Sequence, residues 1–132
     1  MSILIKQLRL ALAGLLIGLL WLTLGCASAV ETSPKTTPAI RGSITSHNAA
    51  GGQGGLVGSI LVEGNIENDT QFDKASIAIT SETQIFEQVE QERHPATFEA
   101  LQLGQRIEAW FTGPVAESYP VQAVASDIVI LK

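Results

Sequence analysis

Short runs of alternating apolar and polar residues occupy most of the chain after residue 39. In the clearest run, KASIAIT, Ala75, Ile77 and Ile79 fall on one face and the residues between them on the other. This period of two is that of a half-buried β-strand, because successive side chains of a strand point to opposite faces. Turn-rich segments separate the runs, and the whole pattern predicts an all-β domain.

Two earlier runs predict strands of the same kind. IRGSITS places Ile40 and Ile44 on one face, and LVGSILVEG places Leu56, Ile60 and Val62 on one face. The segment between them, NAAGGQGG, is rich in glycine. It lacks the Gly-Lys-Ser/Thr ending and the following helix of a phosphate-binding loop, so we interpret it as a flexible turn.

The last two runs predict long strands joined by a shaped loop, residues 113–120. Gly113-Pro114 is a turn signal, and Pro120 marks the entry to the final strand because it has no amide to donate to a ladder. In that final run, VQAVASDIVILK, the apolar residues change face between the alanines and the isoleucines. A bulge near Ser126 and Asp127 would return both sets to the core.

Residues 87–104, which lie between the third run and the last two runs, are mostly polar. They predict a solvated connection that contains Glu87, Glu90 and Glu92. Thr97 is placed to cap one helical turn that brings Phe98 and Leu101, three residues apart, onto one side. TQIF, just before this stretch, predicts a short strand or a bend. The expected domain, residues 40–132, is therefore a small barrel of five or six strands, OB-like, with one short helical turn.

The N-terminus has the pattern of an export signal. Lys6 and Arg9 precede an uncharged apolar run, residues 10–25, and small residues follow it. We therefore predict that residues 1–25 are a signal peptide of the lipoprotein type. A retained membrane anchor is the alternative, although the run is slightly short of the roughly 20 apolar residues that a span needs.

Two cleavage sites compete after the apolar run. LTLGC resembles a lipobox, in which the Cys26 thiol receives lipid and the peptide is cut just before it, while ASA predicts an ordinary cut after Ala29. Cys26 is the only cysteine, so no intramolecular disulfide can form, and lipidation would give this thiol a role. The favoured expectation is a membrane-anchored lipoprotein, and a soluble periplasmic or secreted protein is the alternative. Residues 26–39, rich in Ser, Thr and Pro, predict a linker.

Charge and motifs limit the function. Without Lys6 and Arg9, six Lys and Arg face thirteen Asp and Glu, a balance of −7 that argues against nucleic-acid binding and leaves membrane contact to the lipid. The two histidines of the chain, His47 and His94, have no metal-ligand spacing, and no nucleophile elbow is present. We therefore predict no enzyme activity, no cofactor and no metal site.

A binding role remains, with an envelope protein or a glycan as the unknown partner. Trp110 shares a strand face with two charged residues, and the loop before the last strand carries three polar residues that turn chemistry does not explain. In the structural alternative, the tryptophan and tyrosine only cover the barrel ends. A further alternative is a carrier of small ligands or divalent cations that uses the acidic segments 63–73 and 82–92. The candidate binding residues are Trp110, Arg106, Glu108, Glu117, Ser118 and Tyr119.

Two segments carry a family resemblance. KASIAITSETQIF, residues 74–86, and FTGPVAESYPVQA, residues 111–123, are similar to the YobA-like family of small exported bacterial proteins of unknown function. The resemblance implies a small β-barrel of the oligonucleotide/oligosaccharide-binding type, often behind a lipoprotein signal. It implies no activity, no cofactor and no catalytic residues.

Overall fold

The structure is a computed structural model that describes residues 37–132. The predicted signal peptide, Cys26 and the predicted linker as far as residue 36 lie outside the described residues. Within residues 37–132, no helix has the length and apolar character that crossing a membrane would require.

Seven strands and two short 3-10 turns make up the described chain. The turns are Gln53–Gly55, in the glycine-rich segment, and Phe98–Ala100. The strands are β1 (Ile40–Ala49), β2 (Leu56–Glu63), β3 (Lys74–Thr80), β4 (Gln84–Val89), β5 (Glu92–Ala96), β6 (Arg106–Ala116) and β7 (Val121–Leu131).

All seven strands belong to one sheet in the order β3-β2-β1-β6-β7-β4-β5. Strand β3 also pairs with β7 in parallel, from Ala75 opposite Val121 to Ala78 opposite Val124, so hydrogen bonds run in a ring through β1, β2, β3, β7 and β6. The β4–β5 hairpin continues the sheet outside this ring, which is not a regular barrel. The predicted all-β class is confirmed, with seven strands where five or six were expected.

The core lies inside the ring and follows the alternation in the sequence. Ala75, Ile77 and Ile79 of β3 are at most 1% exposed, as the period of two predicted. The inward positions of β1 and β2 are buried in the same way, but Leu56 is 38% exposed. The prediction for Leu56 is wrong because the pairing register of β2 with β3 shifts between Leu56 and Gly58. A shift of one residue moves a side chain to the other face.

The predicted bulge in the last strand is confirmed. On β7, Asp127 pairs with Trp110 and Ala125 with Phe111, so Ser126 is the additional residue. The alanines before Ser126 and the isoleucines after it are all buried as a result. The polar pair at Ser126 and Asp127 is left on the side of the sheet that faces away from the core.

The first part of the polar stretch 87–104 belongs to a β-hairpin of β4 and β5, and its prediction as a solvated connection is wrong. Residues Ile85–Val89 of β4 pair with Glu92–Ala96 of β5, and Glu90 adopts φ 59 in the tight turn. The alternation is weak here because β5 is the last strand of the sheet and has neighbours on one side only. Charged residues and proline are common on such edges. The predicted helical turn is present at Phe98–Ala100, with Phe98 and Leu101 buried.

Strand β6 continues through Gly113-Pro114, where the sequence predicted its end. Gly113 has φ +71, and the register with β7 is interrupted between Thr112 and Ala116. Pro114 is tolerated in the strand because its missing amide falls in this unpaired stretch. The loop to β7 is consequently shorter than predicted, and it contains a cis peptide bond between Tyr119 and Pro120.

Candidate binding cleft

An open cleft of about 490 Å³ lies beside the second half of β6. It combines the start of the described chain, the loop before β3, the strand β6 beyond its pairing with β1, and the bulge of β7. The lining residues are Thr37, Ala39, Gln71, Phe72, Trp110, Phe111, Gly113, Val115, Ser126 and Asp127.

Trp110 forms the floor of the cleft and is 7% exposed. It points to the opposite face of β6 from Ile107 and Ala109, which belong to the core inside the ring. The Arg93 guanidinium lies 5.9 Å from the centroid of the indole ring. That distance is within the range of a cation–π interaction, so β5 contributes to holding the indole in place.

Phe72 and Phe111 form a second aromatic element, with ring centroids 5.8 Å apart and planes tilted by 30°. Both rings are half-buried and pack against the edge of the core. The backbone fixes this wall, because the amides of Gln71 and Phe72 both donate to the carbonyl of Ala39, at 2.9 and 3.2 Å. The loop before β3 is thereby joined to the chain just ahead of β1.

Two polar side chains of the β7 bulge, Ser126 and Asp127, line the same cleft. The Ser126 hydroxyl donates to the Trp110 carbonyl at 3.3 Å, which ties the bulge to β6. Asp127 is half-buried, and it takes part in none of the ion pairs among residues 37–132. The cleft therefore offers an aromatic floor beside a carboxylate that no cation of the described chain neutralises.

Arg41 anchors the loop that supplies Gln71 and Phe72 to the cleft. Its guanidinium donates to Glu67, to Asp69 at 2.8 and 3.0 Å, and to Glu108 of β6 at 3.1 Å. The Arg41 side chain is 17% exposed, and that of Glu108 is 16% exposed. One cation thus joins β1, β6 and the loop of residues 65–73.

These contacts set the charge states around Arg41. The hydrogen bonds from Arg41 hold the pKa of the Asp69 carboxyl below its ordinary value. The hydrogen bond to Asp69, followed by those to Glu67 and Glu108, raises the pKa of Arg41 above its ordinary value despite partial burial. Arg41 and Asp69 are therefore both charged at neutral pH.

The carboxylates of the acidic segment 63–73 are largely paired with cations. Glu67 also accepts from Arg106 at 3.1 Å, and Glu63 lies 2.9 Å from the Lys74 ammonium. Nowhere in residues 37–132 do three or more His, Cys, Asp or Glu side chains come together as metal ligands. The alternative of a divalent-cation carrier, which drew on segments 63–73 and 82–92, stays a hypothesis.

The candidate binding residues that the sequence grouped on β6 have separate surroundings. Trp110 lines the cleft, whereas Arg106 and Glu108 take part in the ion pairs around Arg41 and Glu67. The face shared by Trp110 and the charged residues exists as expected. The two charged residues of that face, Arg106 and Glu108, form ion pairs with other residues of the domain.

The three candidates in the loop before β7 are exposed and do not line the cleft. The Ser118 hydroxyl donates to the Pro120 carbonyl at 2.7 Å, and the Tyr119 hydroxyl donates to Asp73 at 3.1 Å. Tyr119 is 72% exposed, and the contact with Asp73 raises the pKa of its hydroxyl. Glu117 is exposed in the same loop.

Sequence reasoning missed Phe72, Gln71 and Asp127 as members of a site. Phe72 had one available signal, because it is the single aromatic residue in the loop of residues 65–73. Asp127 was noted only as part of the bulge. No sequence signal connects Phe72 or Asp127 with Trp110, since the cleft forms only where four segments far apart in the chain meet.

Comparison with protein families gives one match. A family model described as protein of unknown function (DUF3221) matches residues 58–132. The matched part begins within β2 and includes every cleft residue except Thr37 and Ala39. No curated protein and no solved structure matches the chain.

Proposed function

Because the chain belongs to the family of proteins of unknown function DUF3221, whose description names no activity, we propose a function from the geometry of the cleft. The domain is a non-catalytic binding module of the cell envelope. Its ligand sits in the cleft beside β6, over Trp110 and between Phe111 and Gln71. The observation that carries this proposal is a concave surface with an aromatic floor next to Asp127, whose carboxylate takes part in no ion pair among residues 37–132.

The dimensions of the cleft support a binding role. Its volume of about 490 Å³ lies within the range of about 300–1,000 Å³ that is usual for ligand sites. Such sites combine apolar and aromatic walls with a few polar groups that fix orientation. Trp110, Phe72 and Phe111 supply the walls here, and Gln71 and Asp127 supply the polar groups.

The surroundings of the reactive side chains support the absence of catalysis. His47 stacks on Phe98 with ring centroids 4.3 Å apart, and His94 is an exposed residue of β5. The hydroxyls of Ser118 and Ser126 donate to backbone carbonyls. A nucleophilic serine would instead need a base within hydrogen-bond reach.

We also propose that the protein is exported and anchored through lipid on Cys26, with residues 26–39 as a spacer. The support is the signal pattern of residues 1–25, together with the resemblance to the YobA-like family. Intact-mass measurement of the protein from cell membranes tests it. We expect a chain that begins at Cys26 with a diacylglycerol adduct, and the adduct should be missing in Cys26→Ser. A mature chain that begins at Val30 would establish the soluble alternative instead.

Site-specific photo-crosslinking tests the cleft as the binding site. A photoreactive residue at Val115, which lines the cleft, is compared in living cells with one at Val89, which is 46% exposed on β4. The proposal expects a discrete adduct, either protein or glycan, from position 115 and none from position 89. Equal labelling at both positions, or no labelling at 115, would remove the cleft as a binding site.

A small ligand of the envelope is the second candidate, because the cleft volume also suits a molecule of that size. A thermal-shift screen with short glycans separates this candidate from a macromolecular partner. Binding at a concentration one hundred times Kd stabilises a folded protein by about 2.7 kcal/mol, which such a screen detects readily. The screen should include Ca²⁺ and Zn²⁺, for which we expect no shift.

A further inference from the structure

The cleft has two parts, because residues from both faces of β6 line it. Trp110 and Phe111 are successive residues of the strand, so their side chains point to opposite sides of it. Asp127, the register partner of Trp110 on β7, belongs to the part on the Trp110 side. Phe72 contacts Phe111 and belongs to the other part. A ligand that fills the cleft therefore meets a carboxylate in one part and an aromatic pair in the other.

The carboxylate of Asp127 can accept a cation from outside the domain. Residues 37–132 hold five Lys and Arg against twelve Asp and Glu, and 5 − 12 gives a balance of −7. The fifth cation, Arg93, lies over Trp110 and forms no ion pair with Asp127. The other four, which already contact carboxylates, are Arg41, Lys74, Arg106 and Lys132. This charge distribution attracts a cationic ligand and repels an anionic one.

The part of the cleft around Phe111 suits an apolar group. Phe72, Phe111 and Val115 are half-buried, so each keeps apolar surface that a ligand can remove from water. Gly113 lies between Phe111 and Val115 on the same side of β6. A Cβ added at Gly113 would meet no atom within 4 Å, so the space between the two apolar side chains is open.

The backbone beside the cleft is already engaged, so side chains must recognise the ligand. The Ala39 amide donates to the Ala109 carbonyl at 2.9 Å, which places the chain ahead of β1 alongside β6. The volume of about 490 Å³ lies in the lower half of the range of about 300–1,000 Å³ for small-ligand sites. Both observations favour a small molecule over an added strand of another chain.

We propose that the cleft binds a small organic amine that carries an apolar group. The ammonium donates to the Asp127 carboxylate, and the apolar group packs against Phe72 and Phe111. A charge-assisted hydrogen bond fixes one end of the molecule, and burial of apolar surface holds the other. This inference rests on the proposed function, since it names the ligand class of the same cleft.

Isothermal titration of the purified full chain tests the proposal. The probes are 2-phenylethylamine, 3-phenylpropylamine and 4-phenylbutylamine, which place the ring at increasing distances from the ammonium. The tightest of them is compared with its alcohol, which has the same ring but no charge, and with butylamine, which has the charge but no ring. We expect saturable binding of one equivalent of the phenylalkylamine. Affinities for the alcohol and for butylamine should each be lower by roughly tenfold or more.

Two variants assign the two ends of the amine. Asp127→Asn should weaken the phenylalkylamine by roughly tenfold and leave the alcohol unchanged, because only the charged end is affected. Its matched control is Asp73→Asn, which also removes one carboxylate but lies outside the cleft and should leave the affinity unchanged. Phe72→Leu should reduce the preference for the phenylalkylamine over butylamine. Thermal unfolding shows whether each variant is folded.

Several results would overturn the proposal. Equal binding of the alcohol, or an unchanged affinity in Asp127→Asn, would refute the role of the ammonium. Equal binding of butylamine would refute the role of the aromatic pair. If a capped peptide, Thr-Val-Lys-Val-Thr, binds more tightly than every amine and with the same dependence on Asp127, the occupant is a partner protein and the small amine is refuted.

Photo-crosslinking from position 115 separates this inference from the proposed function. Should none of the amines bind while crosslinking still succeeds, the amine proposal fails and the binding module stands. If crosslinking fails as well, both proposals fail.

Discussion

Replacing Arg41 by methionine tests whether one cation holds the cleft together. Methionine retains the length and most of the volume of the side chain but makes no hydrogen bond to a carboxylate. The substitution leaves Glu67, Asp69 and Glu108 without the group that joins them. The loop that supplies Gln71 and Phe72 then keeps its backbone bonds to Ala39 but loses its side-chain anchor.

The expected loss of unfolding free energy comes mainly from the contact between Arg41 and Glu108. Both Arg41 and Glu108 are less than one fifth exposed, so their contact resembles a partly buried hydrogen bond between charged groups. Such bonds contribute about 1.5–3 kcal/mol. Glu67 is more exposed and keeps Arg106, so its share is small. We expect a loss of about 2 kcal/mol at pH 7, which lowers the Tm of a domain of this size by about 10 °C.

The loss of stability in Arg41→Met should depend on pH, because part of it comes from the charge interaction between Arg41 and Asp69. Arg41 lowers the pKa of Asp69 in the folded state. A lowered folded pKa contributes stability that is present above the unfolded value of about 3.9 and is lost as the pH falls through the folded value. The difference between wild type and Arg41→Met should therefore be full at pH 7 and shrink as the pH falls below about 4.

Urea unfolding at pH 7, 5 and 3, followed by circular dichroism, measures this difference. Arg41→Lys serves as the control, because it retains the charge but cannot reach the carboxylates in the same fork geometry, and it should lose less stability than methionine. An unfolding free energy unchanged in Arg41→Met, or a deficit equally large at pH 7 and pH 3, would refute the reasoning.

Two other predictions concern single contacts. Gly58→Ala should cost about 1–3 kcal/mol by overpacking, because an added Cβ would lie 2.3 Å from Phe98 Cζ and 2.5 Å from the Asn48 carbonyl oxygen. Ser59→Ala is the neighbouring control, and equal thermal stability of the two variants would contradict the prediction. Asp73→Asn should lower the pKa of Tyr119 toward the ordinary value of about 10, since Asp73 is the main cause of its raised pKa. Absorbance titration of this single tyrosine measures the change, and an unshifted curve would show that the hydrogen bond to Asp73 is absent in solution.

The local sequence pattern was sufficient to predict which face of a strand a residue occupies, wherever that face depends only on the neighbouring residues in the chain. The inward positions of β3, the bulge at Ser126 and the helical turn at Phe98 were all predicted in this way. The strands β4 and β5 were harder to predict from the sequence. Their stability comes from pairing with β7 and with each other, and a polar edge strand carries little alternation of its own.

The candidate site depended on the tertiary structure. Trp110 could be recognised from the sequence as an aromatic residue on a charged face, but neither Phe72 nor Asp127 could be connected with it. The sequence by itself determined the all-β class, the phase of most strands and the acidic charge. Only the tertiary structure decided which charges neutralise one another around Arg41 and which carboxylate remains beside the cleft. Alternation is a property of neighbouring residues, whereas a cleft and an ion pair depend on distances between segments far apart in the chain.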